Sequence, residues 1–329
     1  MTTLYDVAAI GNAIVDVIAP ASDAFLDDQG LVKGSMMLID DDRAAGLYDA
    51  MPPAEEVSGG SAGNTIAGVA SLGGRGAFIG KVAKDQLGDV YAHDMQAIGA
   101  VFSGERLEGG AGTGRSLINV TPDGERTMCT YLGAAARLTP ADVDPTVIEA
   151  AMIVYLEGYL FDPIDARRAF AKATGLARAS SRLIALSLSD SFVVERHREA
   201  LLGFIDSEVD IVFANEAEIT SLFQVDDFDS AVRAVRGRAK MAAVTRGAQG
   251  STIVAGDAIH QIDAYPVEKV VDTTGAGDQY AAGFLLALAQ GRSLDHCGRL
   301  GSMAATEVIG HYGPRPQVSL RDLATAHGL

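Results

Sequence analysis

Short apolar runs alternate with amphipathic stretches along most of the chain. The runs are typical of buried strands and fall at residues 7–10, 77–79, 153–156, 183–188, 211–214, 242–245 and 251–254. Between them, apolar positions recur at helical spacing in residues 67–72, 166–179 and 231–239. This alternation predicts an α/β fold, a doubly wound and mostly parallel sheet with helices on both faces.

Two segments break the alternation. Residues 113–133 contain two strand-like runs, and the Pro-Asp-Gly sequence at 122–124 between them favours a hairpin. Residues 13–40 contain further extended pieces, such as 35–39. We expect a single domain over residues 1–329, in which these two segments form a small β-sheet that covers the large one as a lid. The alternative is that they are edge strands of the main sheet.

Composition narrows the class of protein. The chain has 26 Lys and Arg against 43 Asp and Glu, a net charge of −17, which argues against a nucleic-acid or membrane-surface partner. Two distant cysteines form neither a disulfide framework nor a metal-binding pair. The first residues resemble a strand and not a signal peptide, and no apolar run reaches membrane-spanning length, so a cytoplasmic location is expected.

The chain has 37 glycines, and three loops in which glycines cluster are informative. The first, residues 58–64, precedes a helical stretch, so its backbone can approach a polar ligand closely. Asn64 can present its amide to a hydroxyl-rich substrate there, although a plain glycine-rich turn fits the same sequence. The second loop, 245–250, lies between two predicted strands and is equally compatible with a simple hairpin.

The third glycine loop opens a helix. Residues 271–278 read Val-Asp-Thr-Thr-Gly-Ala-Gly-Asp, and apolar residues at helical spacing follow until Gly291, which is placed to end the helix. Unpaired N–H groups and the helix dipole favour an anion at such a helix start. Asp278 in the first turn fits two roles, a capping acid or a general base beside the bound anion.

The chain lacks the sequence motifs of several other common binding and catalytic sites. The chain has no Gly-x-x-x-x-Gly-Lys-Ser/Thr loop, no Gly-x-Gly-x-x-Gly after the first strand and no His-Glu-x-x-His. Its six histidines are scattered, which argues against a histidine metal site. The acidic run at 40–42 fits a solvated loop or the start of a helix.

Together these motifs resemble the ribokinase/PfkB family of ATP-dependent carbohydrate and nucleoside kinases. The run at 272–278 is similar to the family's C-terminal signature, and the glycine loop ending in Asn64 is similar to its N-terminal one. The resemblance covers essentially the whole chain. It implies a doubly wound α/β domain with a β-sheet lid. It also implies phosphoryl transfer with Asp278 as base and an anion hole at Gly275, Ala276 and Gly277.

Within the family, the details resemble adenosine kinases. Ribokinase-like members usually carry Gly-Gly-Lys-Gly-Ala-Asn, whereas residues 59–64 here read Gly-Gly-Ser-Ala-Gly-Asn. The resemblance implies phosphorylation of a nucleoside 5′-hydroxyl, converting adenosine to AMP, with a sugar such as ribose or fructose as the alternative. In this comparison Tyr159 places a ring against adenine, with a core tyrosine at a strand end as the alternative. Arg126 reaches the transferred phosphate from the lid, with a solvated charge on the hairpin as the alternative. The implied substrate-binding residues are Asn12, Asp16, Gly59, Gly60, Ser61, Asn64, Arg126 and Tyr159.

The resemblance also implies ATP and Mg²⁺ as cofactors. Glu218 would orient Mg²⁺ through water. Many family members also use a monovalent cation such as K⁺, for which Asp272 and Thr274 are the candidate ligands. The implied nucleotide-binding residues are Asn215, Glu218, Thr245, Gly247 and Gly250.

Two further questions stay open in the sequence. A non-catalytic nucleoside-binding protein on the same scaffold is an alternative from another class, and the presence of both Asp16 and Asp278 argues against it. The expected partner is a small-molecule nucleoside or sugar, with no nucleic acid and no membrane. The sequence leaves open whether the chain is a monomer or a homodimer.

Overall fold

The computed structural model describes residues 3–329 and is built on two separate β-sheets, one of nine strands and one of five. The strands are β1 (Tyr5–Ile10), β2 (Ile14–Pro20), β3 (Met36–Leu38), β4 (Glu55–Ser58), β5 (Gly76–Ile79), β6 (Val101–Ser103), β7 (Gly114–Val120), β8 (Arg126–Tyr131), β9 (Ala151–Glu157), β10 (Leu183–Ser187), β11 (Ile211–Asn215), β12 (Met241–Thr245), β13 (Ser251–Ala255) and β14 (Ala258–Ile262).

Helices connect most of the strands. They are α1 (Asp23–Asp28), α2 (Asp41–Ala50), α3 (Ser61–Ser71), α4 (Gln86–Ala97), α5 (Pro145–Ala150), α6 (Ile164–Ala179), α7 (Ser191–Glu208), α8 (Glu216–Phe223), α9 (Phe228–Val235), α10 (Ala276–Ala289), α11 (Leu294–Ile309) and α12 (Leu320–Ala326). The helix predicted over 231–239 was placed too late, because the chain turns at Gly237, whose φ is +76°. No helix within residues 3–329 combines the length and apolarity needed to cross a bilayer.

The large sheet confirms the predicted fold class. Its strand order is β14-β13-β12-β11-β10-β9-β1-β5-β6, and every neighbouring pair from β12 to β6 is parallel. The hairpin β12-β13-β14 adds two antiparallel strands at one edge. Strands buried on both faces need apolar side chains at consecutive positions, which explains the unbroken apolar runs in the sequence.

The two faces of this sheet have separate apolar cores. Alternate residues of β1 divide between them, with Val7 and Ala9 in one core and Ala8 and Ile10 in the other. Helix α10 lies in the first core and packs against α3 and α11. Gly68 permits the first contact, because a Cβ there would lie 2.7 Å from the Ala282 Cβ. The N-termini of α3 and α10 are thereby brought side by side.

The small sheet has the order β3-β8-β7-β2-β4 and shares no strand with the large one. The edge-strand alternative is therefore wrong for these segments. Strand β4 was missing from the sequence prediction, because its Glu-Glu-Val-Ser sequence is short and lacks an apolar run.

Alternate residues of the small sheet face opposite ways. Val15, Val17, Leu117 and Cys129 are buried in an apolar core together with Leu26 of α1 and Leu47 of α2. The intervening residues line a cavity between the two sheets. They are Ile14, Asp16, Met36, Leu38, Ser116, Ile118, Met128 and Thr130. The period of two thus gives this sheet one packed face and one face open to a ligand.

Candidate active site

A cavity of about 730 Å³ lies at the carboxyl ends of the parallel strands, beneath the small sheet. This edge of an open α/β sheet is where ligands commonly bind. Its lining includes most of the residues that the sequence analysis selected. They are Asn12, Asp16, Gly60, Ser61, Asn64, Tyr159, Asn215, Glu218, Thr245, Thr274, Gly275, Ala276, Gly277 and Asp278.

Five selected residues lie outside this lining. Gly59 is packed behind Asp16, Arg126 and Asp272 pair with each other, and Gly247 and Gly250 form the β12–β13 turn. Gly250 has φ of +79° and no space for a side chain, because a Cβ would lie 1.9 Å from the Ile262 carbonyl oxygen. The hairpin itself therefore explains Gly250, and contact of Gly247 and Gly250 with a nucleotide stays a prediction.

Helix α10 begins at the cavity. Gly275 is its N-cap residue with φ of +79°, and no side chain caps this end. The Ala276 N–H donates to the Thr273 carbonyl oxygen at 3.2 Å, and the regular helical bonds begin with the Gln279 N–H, which donates to the Gly275 carbonyl oxygen at 2.9 Å. The N–H groups of Gly277 and Asp278, which lie between them in the first turn, have no intrahelical partner. The helix start therefore offers unpaired donors and a positive dipole end to an anion.

Asp278 points away from its own helix and across to α3. Its carboxylate accepts hydrogen bonds from the Ser61 hydroxyl at 2.6 Å and from the Asn64 amide at 3.2 Å. No capping bond from Asp278 to the α10 backbone is found among the described residues, so capping does not account for its position. Burial raises the pKa of Asp278 to about 6, and the two hydrogen bonds oppose that rise. At neutral pH the group is ionised and can accept a proton.

The first glycine loop allows β2 and α3 to meet closely. Gly60 caps α3 with φ of +82°, and a Cβ there would lie 2.2 Å from the Asn12 carbonyl oxygen. A Cβ at Gly59 would lie 2.4 Å from an Asp16 carboxylate oxygen. Larger residues at either position would displace the polar groups that face the cavity.

Asp16 is buried at the lid side of the cavity. Its pKa is raised to about 7, chiefly by burial, while the positive charges of Arg315 and Arg126 act in the opposite direction. Arg315 donates to the Ser58 hydroxyl at 2.6 Å and to the Asn64 side-chain oxygen at 3.3 Å. Sequence reasoning missed Arg315; its only signal was its place between two prolines in the loop after α11.

Glu157 was also missed as a site residue. It ends β9, is almost fully buried, and accepts from the Asn12 backbone N–H at 3.2 Å, the Asn12 amide at 2.7 Å and the Ala62 N–H at 2.9 Å. Burial raises its pKa to about 7. Glu157 therefore fixes Asn12 and the start of α3 relative to each other. Nearby, Tyr159 lies in a short 3-10 helix and borders the cavity.

Asn215 and Glu218 form a reciprocal cap at the start of α8. The Glu218 N–H donates to the Asn215 side-chain oxygen at 2.9 Å, and the Asn215 amide donates to Glu218 at 2.7 Å. Burial raises the pKa of Glu218 to about 7. This cap has a structural role, yet both side chains also border the cavity, together with Thr245.

Arg126 and Asp272 form a buried ion pair, with 2.7 Å between Arg126 Nη2 and Asp272 Oδ2. The other Asp272 oxygen accepts from the Thr274 N–H at 3.0 Å and from the Thr274 hydroxyl at 2.7 Å. Arg126 Nε, Nη1 and Nη2 are all buried without a hydrogen-bond acceptor among the described residues, so the contact with Asp272 is a close ion pair without hydrogen-bond geometry. Within residues 3–329, no group of three or more His, Cys, Asp or Glu side chains is arranged to hold a metal ion.

This fold and site define a small-molecule kinase, a phosphotransferase with an alcohol group as acceptor. A buried carboxylate lies in the first turn of a helix whose start has unpaired N–H groups, inside a cavity covered by a second sheet. Residues 34–320 match the family model described as pfkB family carbohydrate kinase. The match covers most of the chain, and the chain belongs to this family.

Individual relatives divide between nucleoside and sugar kinases. The structure of adenosine kinase from Sinorhizobium meliloti is 52% identical, with a TM-score of 0.92, and the match covers 98% of this chain and 99% of that one. A probable sugar kinase from Rhizobium etli CFN 42 is 48% identical with a TM-score of 0.93, covering 99% of both chains. Adenosine kinase of Saccharomyces cerevisiae is 28% identical over 93% of this chain and 95% of its own length.

Proposed function

We propose that this chain transfers the γ-phosphoryl group of ATP to the 5′-hydroxyl of a nucleoside, with adenosine as the preferred acceptor and AMP as the product. The observation that carries the proposal is the mixed character of the cavity under the small sheet. Asn12, Asp16 and Asn64 present groups that hydrogen-bond to ribose hydroxyls.

The apolar part of the same cavity favours a substrate that carries a nucleobase. Strands of the small sheet contribute a patch of apolar side chains that is larger than the small C–H faces of a free sugar would cover. A planar purine can cover it. The patch consists of Ile14, Met36, Leu38, Ile118 and Met128, with Leu132 just beyond β8. Tyr159 borders the same cavity, and we expect its ring to contact the base.

The reaction requires one proton acceptor and one anion site. Asp278 accepts the proton of the 5′-hydroxyl while that oxygen attacks the γ-phosphorus. A new P–O bond forms, the bond to the β–γ bridging oxygen breaks, and ADP leaves. Ser61 and Asn64 hold the carboxylate in place. Donors at the start of α10, from Gly275 to Gly277, stabilise the transferring group, so positioning and electrostatics supply most of the rate.

Glu218 and Asn215 are the residues that would hold Mg²⁺ at this cavity. The Glu218 carboxylate is an oxygen ligand of the kind Mg²⁺ takes, commonly through water, and Asn215 lies beside it. The cation, when bound with ATP, neutralises phosphate charge, which matters for a chain with a net charge of −17. The small sheet acts as a lid that excludes water once the acceptor is bound.

A sugar kinase of the same family is the second candidate, since a probable sugar kinase is 48% identical to this chain. The absence of lysine from the first glycine loop and the apolar patch both favour the nucleoside. The test is ADP release from ATP with adenosine, inosine, ribose and fructose as acceptors. We expect adenosine to give the highest kcat/KM. A higher value for either sugar would contradict the nucleoside assignment, and adenosine binding without ADP release would indicate a non-catalytic protein.

The pH dependence follows from the Asp278 pKa. A base must be deprotonated, and burial raises this pKa to about 6, so activity is present above that pH and is lost below it. We expect kcat at saturating adenosine and ATP to fall about tenfold per pH unit below this value, because kcat reports the enzyme–substrate complex, in which the Asp16 carboxylate is already engaged by the ribose. A profile flat down to pH about 4, the pKa of an unperturbed carboxyl, would contradict a buried base.

Replacing Gly275 by Ala should damage both the fold and the anion site. The residue needs φ of +79°, and a Cβ would lie 2.6 Å from the Pro314 Cα, so the start of α10 must move. We expect kcat to fall about 10²–10³-fold, as for loss of an oxyanion donor. Gly291→Ala is the matched control, because φ there is +71° but a Cβ meets nothing within 4 Å. It should lower the thermal midpoint and leave kcat unchanged. Equal kcat for Gly275→Ala and wild type would exclude the helix start as the phosphate site.

A further inference from the structure

The ion pair between Arg126 and Asp272 occupies the place where the family resemblance implied a monovalent cation. Arg126 begins β8 of the small sheet, and Asp272 precedes the glycine loop that starts α10. Their side chains are 7% and 6% exposed, so both charges are withdrawn from water. A buried carboxylate needs a compensating positive charge, and here the chain supplies one.

Both carboxylate oxygens of Asp272 already have partners within the chain, which disfavours binding of a metal ion. Oδ1 accepts two hydrogen bonds from Thr274, at 3.0 and 2.7 Å. Oδ2 accepts from the Gly313 N–H at 3.1 Å and contacts the Arg126 guanidinium at 2.7 Å. A cation bound to this carboxylate would lie against the guanidinium, whose charge has the same sign. The residues present therefore do not fit a monovalent cation at Asp272.

The guanidinium makes no hydrogen bond within the described residues, and its second contact is with an aromatic ring. Its Cζ lies 5.6 Å from the centre of the Tyr312 ring, in a cation–π contact, and Tyr312 adjoins Gly313, whose N–H also binds Asp272. The loop before α10, the loop after α11 and the small sheet thus meet at one buried charge pair. This arrangement would order residues 272–275 without an added ion.

We propose that Arg126 replaces the monovalent cation at Asp272, so that this chain neither requires K⁺ for phosphoryl transfer nor is stabilised by it. The claim that phosphoryl transfer needs no K⁺ rests on the proposed function. The claim that K⁺ does not stabilise the folded chain is independent of it. Because the positive charge belongs to the small sheet, it reaches the loop only when that sheet is in place. The loop's order and the lid's position are then coupled through one ion pair.

The test compares KCl, NaCl and tetramethylammonium chloride at equal ionic strength, using wild type and Arg126→Met. The first readout is the thermal midpoint without substrate. We expect the wild-type midpoint to be the same in all three salts. In Arg126→Met, Asp272 loses its buried counter-charge, so the midpoint should fall and KCl should raise it selectively through binding to the folded state.

Arg115→Met is the matched control. Arg115 is on the neighbouring strand β7, contacts the exposed Asp41 at 3.4 Å and lies over the Tyr131 ring, but is not paired with Asp272. Its midpoint should show no preference for K⁺. If Arg126→Met does not fold, the wild type and Arg126→Lys still decide, because both keep a positive charge and should show no K⁺ dependence.

The second readout is ADP release with adenosine. Wild-type turnover should differ by less than about twofold between KCl and tetramethylammonium chloride, and Arg126→Met should gain about tenfold or more from KCl. The inference would be overturned if K⁺ selectively raised the thermal midpoint of the wild type or increased its turnover about tenfold. It would also be overturned if KCl did not selectively raise the thermal midpoint of Arg126→Met. If adenosine gives no ADP but the midpoints behave as expected, the proposed function fails and the ion-pair inference stands.

Discussion

Asp278→Asn should lower the rate of phosphoryl transfer by about 10²–10⁴-fold, the range supported by general-base catalysis. The amide has nearly the same shape and still accepts a hydrogen bond, but it cannot take the proton of the attacking hydroxyl. ATP should bind with nearly unchanged affinity, because the residue faces Ser61 and Asn64. The measurements are kcat from ADP release and ATP affinity from titration calorimetry.

Ser61→Ala is the companion variant, because it leaves the carboxylate and removes its 2.6 Å hydrogen bond. One hydrogen bond to a charged group is worth about 1.5–3 kcal/mol, so a loss of about 10–100-fold is expected. The bond also lowers the pKa of Asp278, so its removal should move the acidic limb of the pH profile upward. Near-normal turnover in Asp278→Asn would remove this residue as the base.

Asp16→Asn should reduce kcat/KM for adenosine by at least about a hundredfold, chiefly through KM. The carboxylate is buried at the cavity, and no hydrogen bond to it is found within residues 3–329. Ribose hydroxyls would supply the missing donors, and two such bonds at about 1.5 kcal/mol each account for the expected factor. The binding of ATP should not change.

Deoxynucleosides provide the control for Asp16. The wild type should discriminate strongly against 2′-deoxy- and 3′-deoxyadenosine, because each leaves part of the buried carboxylate without a donor. Asp16→Asn should show a much smaller discrimination, since its amide lacks the charge. Equal discrimination in the two proteins would show that other groups hold the ribose.

The features that the sequence predicted best are those with a local physical signal. The apolar run in β1 predicted a strand of the parallel sheet, because a strand buried on both faces is built mainly of apolar residues. Gly275 and Asp278 were found because a glycine-containing helix start has a recognisable pattern. Pro122 and Gly124 likewise located the hairpin of the small sheet.

The features that were missed depend on contacts between distant segments. Glu157 contacts Asn12 across 145 positions, and Arg315 contacts Asn64 across 251. Nothing in the local sequence distinguishes such buried charged residues from solvated ones. The pairing of Arg126 with Asp272 was hidden for the same reason, so each residue was assigned to a separate ligand.

The central claim is that this cavity transfers phosphate to the 5′-oxygen of adenosine. The most direct test is ³¹P NMR of the product formed from adenosine and ATP, with 5′-deoxyadenosine as the matched substrate lacking the acceptor. We expect a single AMP resonance, one ADP released per AMP, and no phosphorylated product from 5′-deoxyadenosine. ADP release without AMP, or a phosphorylated product from 5′-deoxyadenosine, would contradict it.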